Sequence, residues 1–243
     1  MSLTRERFIK VILLSFLFSL QAFALDVKIV GDNNYLPIIG QQDNKNAGIL
    51  LDRLSQIGKE TNTNFSVELY PWARALILSQ TDKVGIIGIS KTAEREKIFD
   101  YTLPIFVDSI LIIVKRGQVF KFDSLDDLKG KVIGAQLNAS FGETVDEYLK
   151  KNQITVERDT ARENRLHKLL AGRIDVAFIG NGLSGFNEIL KLDPELQKNR
   201  DSFAIFKKPL NEDKLYLAFR KDLHQKDLIE KINSIIKKFK YSE

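Results

Sequence analysis

The segment GIIGISKTAEREKIFDYTLPIF places a cation where a helix start normally favours an acid. The unbroken apolar run at Gly85–Ile89 predicts a buried strand, and Thr92 is a suitable N-cap for a helical turn after it. The third helical position, which carries Glu or Gln in a capping box, is then Arg95. Because a cation is disfavoured near the positive end of a helix dipole, Arg95 is expected to serve another group. Two partners fit: the anionic group of a ligand, or a surface ion pair with Glu94 or Glu96.

Two further segments combine aromatic and charged residues directly after apolar runs. Asp32 and Tyr35 follow the first run, where the carboxylate could meet a cation and the tyrosine could offer its ring and hydroxyl. An ordinary turn rich in Asn and Asp is the alternative. Pro71, Trp72 and Arg74 follow the second run, with the proline suited to the first position of a helix. Trp72 could flank a ligand or pack in the core, and Arg74 could clamp a ligand or form a surface ion pair.

Two later loops are small and polar. Asn138, Ser140 and Phe141 follow an apolar run, and Asn138 or Ser140 can cap a helix whose free N–H groups attract anions. A cap without any ligand is the alternative. The loop GNGLS at Gly180–Ser184 follows another run, and there Asn181 is the ligand candidate, with a simple turn as the alternative.

The sequence shows less evidence of catalytic motifs than of binding residues. His167 and His224 have no Ser, Cys or acidic neighbour at motif spacing, so both are expected to be solvated. The sequence contains no HExxH, no GxSxG, no phosphate-binding P-loop and no GxGxxG after a strand. The sequence therefore offers residues that could bind a small molecule but no evident catalytic group, and we expect neither a cofactor nor a metal.

The N-terminus predicts export. Arg5, Arg7 and Lys10 precede the apolar run Val11–Leu20, and an A-x-A pattern predicts cleavage after Ala24. The apolar run is shorter than the roughly 20 residues of a membrane-spanning helix, although an uncleaved anchor is the alternative. No cysteine occurs, which excludes disulfides and a thiol for a lipid anchor. Residues 1–24 are therefore interpreted as a signal peptide and the remainder as a free periplasmic protein.

The charge balance argues against nucleic acid as a partner. The whole chain has a net charge of +5, and residues 1–24 contribute three basic residues and one acidic residue, which leaves +3 for residues 25–243. This surplus is too small to indicate a polyanion-binding surface. The length suits one large domain or two lobes of about 100 residues each.

Alternating strand and helix patterns must position these residues. Eight apolar runs predict strands: Val27–Val30, Phe65–Leu69, Gly85–Ile89, Ser109–Val114, Lys131–Ala135, Ile154–Glu157, Ile174–Ile179 and Leu215–Phe219. Four apolar stripes predict helices near residues 50–57, 141–149, 166–170 and 228–239. This alternation is typical of α/β folds with largely parallel sheets, in which ligands bind beyond the carboxyl ends of the strands. The candidate residues above all follow such strands.

The order of these landmarks resembles the periplasmic solute-binding proteins of amino-acid ABC transporters, family 3, over residues 25–243. The segments that carry the resemblance are Asp32 with Tyr35-Leu-Pro37, AGILLD at 47–52, PWARAL at 71–76, Thr92-Ala-Glu-Arg95 with Asp100-Tyr101-Thr-Leu-Pro104, SLDDLKGK at 124–131 and LAGRID at 170–175. The resemblance implies a type II two-lobed α/β fold, with mostly parallel sheets flanked by helices and two crossing strands between the lobes. Lobe 1 would comprise residues 25–107 and 213–243, and lobe 2 residues 108–212.

The resemblance also implies a binding site and a partner. Arg95 and Ser90 would grip a ligand carboxylate, and Trp72 and Tyr35 would flank its side chain. The full set of expected ligand-binding residues is Asp32, Tyr35, Trp72, Arg74, Ser90, Thr92, Arg95, Asn138, Ser140, Phe141 and Asn181. Closure of the lobes around a small anionic or zwitterionic solute would prepare a monomeric protein for an inner-membrane ABC permease or a membrane receptor.

One departure from the family pattern concerns the ligand. Amino-acid binders of this family usually place an aspartate, which holds the ligand's ammonium, where this chain has Gly180. We therefore expect a carboxylate-bearing, amino-acid-like solute without assuming a standard α-amino acid. The alternatives are a dehydratase of the same fold, for which Asp32 or Glu143 would be the acid or base, and a stand-alone sensory module.

Overall fold

A ten-stranded mixed sheet runs through the whole molecule, and helices cover its faces. The computed structural model describes residues 25–239; the predicted signal peptide and cleavage site at 1–24 lie outside the described residues. The strands are β1 Leu25–Asp32, β2 Asn34–Tyr35, β3 Ile39–Gln42, β4 Lys45–Ala47, β5 Thr63–Tyr70, β6 Gly85–Ser90, β7 Phe99–Tyr101, β8 Phe106–Lys115, β9 Ile133–Gln136, β10 Val156–Asp159, β11 Val176–Ile179, β12 Phe203–Ile205 and β13 Asn211–Arg220. The strand order is β10-β9-β11-β8-β13-β6-β1-β5, with β12 and β7 added beside β8 and β13.

The helices lie between these strands, as the alternating pattern predicts. They are α1 Ile49–Thr61, α2 Trp72–Thr81, α3 Ala93–Glu96, α4 Glu143–Lys151, α5 Arg162–Leu170, α6 Gly182–Leu192, α7 Pro194–Lys198 and α8 Lys226–Ile236. Short 3-10 turns occupy Leu125–Leu128, Arg200–Ser202 and Lys221–Leu223. No helix within residues 25–239 has the length and apolar character required to cross a membrane.

The sheet divides into two halves, each with its own hydrophobic core. In the first half, here called lobe 1, β1 pairs in parallel with β5 and β6, and α1, α2 and α8 pack against them. In the second half, here called lobe 2, β9 pairs in parallel with β10 and β11, and α4, α5 and α6 cover them. Separate cores allow the two halves to move as bodies, which is the basis of hinge closure. The predicted α/β fold with two lobes is confirmed.

Two long antiparallel strands, β8 and β13, connect the lobes. They pair with each other from Phe106 opposite Leu215 to Ile110 opposite Asn211, and each continues into a different sheet half. The predicted boundaries, at 107/108 and 212/213, fall inside these strands and stay a prediction. The register places Asp108 directly opposite Asp213.

Each of the eight predicted runs overlaps a strand, although β10 begins two residues later than predicted, at Val156. β6, β8 and β11 are largely buried on both faces and rich in branched apolar residues, whereas β5 and β10 are partly exposed. The stripe of Leu228, Ile232, Ile235 and Ile236 is the buried face of α8, as predicted. The three-stranded sheet of β2, β3 and β4 was not predicted, since strands of two to four residues leave no clear period.

Candidate functional site

A cavity of about 50 Å³ lies where the two lobes meet the crossing strands. Lobe 1 contributes Asp32, Tyr35, Trp72 and Ser90 to its polar lining, and the crossing strands contribute Asp108 and Asp213. Lobe 2 contributes Gln136, Ser140, Phe141, Arg162 and Arg165. The cavity is small because the lobes touch each other around it, so the structure represents a closed cleft.

Hydrogen bonds across the cleft hold this closed arrangement. The Trp72 Nε1 group and the Arg95 Nη2 group of lobe 1 both donate to the carbonyl oxygen of Asn138 in lobe 2, each at 3.0 Å. In the other direction, Arg162 of lobe 2 donates from Nη1 to the Leu36 carbonyl of lobe 1 at 3.1 Å. Each of these bonds would break if the lobes separated.

Arg95 lies at the third position of α3, as the sequence predicts, and its side chain serves two backbone carbonyls. Thr92 is the N-cap, and its Oγ1 accepts from the Arg95 backbone N–H at 3.2 Å. The guanidinium donates to the Ser90 carbonyl at 3.0 Å in addition to Asn138. Glu96 pairs instead with Lys91 at 2.6 Å. Arg95 and Thr92 line a shallower pocket beside the cavity, so their contact with a ligand stays a prediction.

Asp32 and Tyr35 reach the cavity from the end of β1. Asp32 accepts hydrogen bonds from the backbone N–H of Asn34 at 2.9 Å and from Gln136 Nε2 of lobe 2 at 2.8 Å. Burial raises the pKa of this carboxyl, and the two donors oppose the rise. The Tyr35 hydroxyl donates to Asp108 Oδ2, and burial raises the pKa of the phenol.

Trp72 and Arg74 begin the same helix but lie in different surroundings. Trp72 is 7% exposed and packs in the core with Ala75 and Ile86, as one interpretation of the sequence predicts. It also lines the cavity, and its contact with a ligand stays a prediction. Arg74 is exposed, and its guanidinium lies 4.8 Å from the centre of the Tyr70 ring. It does not line the cavity.

The loop after β9 is closed by a carboxylate of the protein itself. Asp146 accepts from the Phe141 backbone N–H at 3.0 Å and from the Ser140 hydroxyl, and the Ser140 oxygen accepts from the Gly142 N–H at 3.2 Å. The prediction that Asn138 or Ser140 is the N-cap is wrong, because α4 starts later, with Gly142 as its N-cap. Asn138 has a left-handed backbone, φ 59°, which asparagine tolerates and which turns its carbonyl into the cleft contacts described above.

Asn181, which follows β11, also has a left-handed backbone, with φ 63°. Its backbone N–H donates to Asp108 Oδ1, and its buried side-chain Nδ2 has no hydrogen-bond partner among the described residues. The side chain is not part of the cavity lining. Gly180 lines the cavity. A larger residue has no room at this position, because a Cβ would meet the Tyr35 hydroxyl and lie 2.8 Å from Asp108 Oδ2.

Sequence reasoning missed the two acids of the crossing strands. Asp108 is 2% exposed and Asp213 is 6% exposed. Burial raises the pKa of Asp108 to about 6 and that of Asp213 to about 7. The available signal was an acid within two residues before each of the two long apolar runs, at 109–114 and 215–219.

The two buried arginines of α5 were also missed. Arg165 forms a bidentate ion pair with Asp159, with N–O distances of 2.6 and 3.0 Å, and is thereby neutralised. Arg162 is 2% exposed, and its guanidinium lies 5.3 Å from the Tyr35 ring centre. Its Nε has no hydrogen-bond partner among the described residues, and burial lowers the pKa of the group. No sequence signal marks Arg162, because lobe 1 contributes to its burial.

Within the described residues, no group of three or more His, Cys, Asp or Glu side chains is arranged to hold a metal ion. The cavity combines buried carboxylates, a buried arginine with an unused donor, an amide, hydroxyls and aromatic faces. Such a lining can hold a small polar molecule through paired charges and hydrogen bonds.

Comparisons with known proteins agree with this arrangement. The chain is 24% identical over 210 residues to the L-cystine-binding protein TcyJ of Escherichia coli K12, covering 84% of this chain and 74% of that protein. It is 27% identical over 183 residues to the putative amino-acid ABC transporter-binding protein PatH of Vibrio harveyi, covering 74% and 72%. These relatives are binding proteins by name.

Solved structures share the fold. The holo form of ArgBP from T. maritima superposes with a TM-score of 0.67 at 22% identity, covering 87% of this chain and 89% of that one. A histidine kinase sensor domain similar to periplasmic binding proteins gives 0.71 at 18%, covering 89% and 91%. The model of the bacterial extracellular solute-binding proteins, family 3, matches residues 27–243. Because this match covers nearly all of both lobes, the protein belongs to that family.

Proposed function

We propose that this protein is a periplasmic binding protein that captures a small carboxylate-bearing, amino-acid-like solute by lobe closure and delivers it to an ABC permease. The observation that carries the proposal is a cavity lined by charged groups from both lobes and both crossing strands. A solute that touches both lobes binds the closed state more tightly than the open state, and this difference drives closure. A membrane receptor is the alternative destination.

The carboxylate end of the solute has two arginines available. Arg95 is the residue predicted from the sequence, together with Ser90, and it lies at the edge of the cavity. Arg162 lies in the cavity wall, and its Nε donor has no partner among the described residues. Arginine binds carboxylates through two parallel N–H donors, so either side chain suits this role. We assign the carboxylate to this pair.

The remainder of the solute would face apolar surface. Trp72 and Ile87 line the cavity from lobe 1, Phe141 and Phe178 from lobe 2, and Ile110 from a crossing strand. This lining supports a solute with a short aliphatic or aromatic side chain rather than a sugar, whose hydroxyls would need more hydrogen-bond partners.

The test starts from the purified protein. Native mass spectrometry detects a co-purified solute that denaturation releases, and a thermal-shift screen of amino acids and related acids, followed by calorimetry, measures affinity. Arg95→Ala and Arg162→Gln should each weaken binding, whereas Arg173→Ala, which removes an exposed arginine outside the cavity, should not. The proposal fails if no small carboxylate binds, or if the Arg95 and Arg162 variants both bind as well as the parent.

One observation supports the dehydratase alternative, and another argues against one of its two candidate residues. The cavity holds Asp32 and the two crossing-strand acids, and a carboxyl with a pKa of about 6 can serve as a general acid or base. Glu143, the other acid considered, accepts from the Ala93 backbone N–H at 3.2 Å and does not line the cavity. Turnover of prephenate or arogenate by the purified protein would favour the enzyme, and lack of turnover at high protein concentration would exclude it.

A further inference from the structure

The cavity between the lobes is small, and its volume limits the size of the solute. It encloses about 50 Å³, whereas a single buried water needs about 10–15 Å³ of such space. The cavity therefore holds roughly three to five water-sized groups. Because bonded atoms lie closer together than neighbouring waters, a solute of the size of glycine or alanine fits this space, and one with a long or aromatic side chain does not.

The Tyr35 side chain closes one end of the cavity. It starts in lobe 1, lines the cavity and donates from its hydroxyl to Asp108 Oδ2 on a crossing strand. A Cβ on Gly180 would meet the hydroxyl oxygen and lie 2.7 Å from Tyr35 Cζ, so the phenol occupies the space of a side chain at position 180. The tyrosine thus reaches across the cleft to the loop after β11, where only glycine leaves it room.

Contacts on several sides hold the Tyr35 ring in place. The Arg162 guanidinium lies 5.3 Å from the ring centre and donates to the carbonyl of the next residue, Leu36, at 3.1 Å. The ring also packs against the core of lobe 1, and the Tyr35 backbone pairs with Ile39 between β2 and β3. A larger solute would have to displace the ring from these contacts, and forcing extra atoms into a packed interior is unfavourable.

Other apolar side chains of the cavity wall belong to the hydrophobic cores. Ile39 and Ile87 are part of the core of lobe 1, and Ile110 and Phe178 are part of a core of lobe 2. Moving any of them would disturb the packing of a whole lobe. Tyr35 is only partly buried in the core and ends on polar atoms, so its ring is the part of the wall that can be removed with least damage to the fold.

We propose that Tyr35 determines the size of the solute, because its ring, held over Gly180 and against Asp108, restricts the cavity to solutes with no side chain or a short aliphatic one. This inference rests on the proposed function and narrows the solute class named there, since it excludes aromatic side chains. The limit is steric and does not depend on which charged groups the solute carries. Tyr35 is thus a specificity-determining residue of the cleft.

The first experiment compares solutes that differ only in the bulk of one substituent. The pairs are glycine with L-phenylglycine, L-alanine with L-norleucine, and propanoate with 3-phenylpropanoate, measured by thermal shift and then by calorimetry on the full mature protein. In every pair that gives a signal, the smaller member should bind at least about 30-fold more tightly than the larger one, as expected for overpacking of a closed cavity.

The second experiment enlarges the cavity. Tyr35→Ala removes the ring, so the preference for the smaller member of each pair should fall by about 30-fold, whereas Tyr35→Phe keeps the ring and should keep the preference. Tyr148→Ala is the matched control, because it removes a tyrosine whose hydroxyl donates to Asp126 at 2.7 Å outside the cavity. This control should keep the parental ratio. A merely structural role of Tyr35 would lower the affinity for both members alike and leave their ratio unchanged.

The third experiment tests the contact between Tyr35 and residue 180. Gly180→Ala should lower the melting temperature, because its Cβ collides with the Tyr35 hydroxyl. In the Tyr35→Ala background the same substitution should lower it much less, since the remaining close neighbour is Asp108 Oδ2, at 2.8 Å. Effects that simply add in the double variant would show that the two residues do not share this space.

The outcomes separate the two proposals. Equal or tighter binding of the larger members by the parent, or an unchanged ratio in Tyr35→Ala, overturns the size limit while leaving solute capture intact. Should Tyr35→Ala not fold, Tyr35→Leu, whose shorter side chain stops short of Gly180, replaces it in both experiments. If neither member of any pair binds to the parent, both the size limit and the proposed function are contradicted.

Discussion

Arg95 and Arg162 both offer donors to a carboxylate, but their other bonds differ. Arg95 links the lobes through Asn138, so Arg95→Ala should weaken every ligand, by roughly 2–5 kcal/mol for a buried charged partner. Arg162→Gln should weaken carboxylate ligands more than their amide analogues, because it removes charge at the cavity wall. Calorimetry with a ligand and its amide measures both effects. Parental affinity in Arg95→Ala would show that this residue has no binding role.

Trp72 combines a packing role with a hydrogen bond across the cleft. Trp72→Phe keeps most of the ring in the core but removes the Nε1 donor to Asn138. We expect a small loss in the free energy of unfolding, about 1 kcal/mol, and a larger loss in ligand affinity. Chemical denaturation and calorimetry on the same preparation compare the two. A large destabilisation with unchanged affinity would assign Trp72 to the core alone.

The crossing-strand carboxyls should make stability depend on pH. Their folded-state pKa values, about 6 for Asp108 and about 7 for Asp213, lie above the roughly 3.9 of an unfolded Asp. The folded protein thus binds more protons than the unfolded chain between about pH 4 and pH 7, so this contribution to stability is complete below pH 4 and is lost as pH rises through 7.

Denaturant titrations of the unliganded protein at several pH values test this dependence. The contribution from these groups should decline between pH 5 and pH 8, and Asp213→Asn should flatten that decline relative to the parent. An identical pH profile in the variant would contradict the assigned pKa.

At the scale of elements, the loop between β9 and α4 depends on Asp146. This carboxylate accepts from the Ser140 hydroxyl and the Phe141 N–H, and the same loop presents the Asn138 carbonyl to lobe 1. Asp146→Ala should cost about 1–2 kcal/mol of unfolding free energy, as for loss of a capping side chain, and should also weaken ligand binding. Glu147→Ala, on the same helix, is the control for helix charge. Equal stability of the two variants would contradict the capping role.

Several elements follow from local patterns alone. The apolar runs from Val27–Val30 to Leu215–Phe219 lie in strands because branched apolar residues favour extended backbone. Thr92 as the N-cap of α3 was predicted from side-chain chemistry within four residues and is confirmed. The start of α4 was predicted too early. Asn138 and Ser140 have side chains that suit an N-cap, but neither caps the helix, and the Ser140 hydroxyl donates to Asp146 instead.

At the scale of the whole molecule, closure should be visible as a change in size. Ligand binding should reduce the radius of gyration measured by small-angle X-ray scattering, because the lobes approach around the solute. Arg95→Ala should shift the unliganded protein towards the open form, since the contact with Asn138 is lost. A radius that does not change with saturating ligand in the parent would contradict capture by closure.

The site could be predicted only in part. Asp32, Tyr35, Trp72, Ser90, Ser140 and Phe141 were named from the sequence and line the cavity, because residues after parallel strands gather at one edge of a sheet. Arg74 lies outside the cavity because the turn of α2 that carries it points to solvent. Asp108, Asp213 and Arg162 were missed, since they lie within strands or a helix rather than in the loops after strands.

The sequence by itself determined the α/β class, because this depends on apolar periodicity. The order of its short motifs resembles a known family, and that resemblance implied the family and the two-lobed fold. Only the tertiary structure decided which charges share the cavity. Asp108 and Asp213 are about 100 residues apart in the chain and become neighbours through the register of two antiparallel strands. Arg162 reaches Leu36 only when the lobes meet. Long-range pairing of this kind has no local period, so these charges of the cavity lining could not be predicted from the sequence.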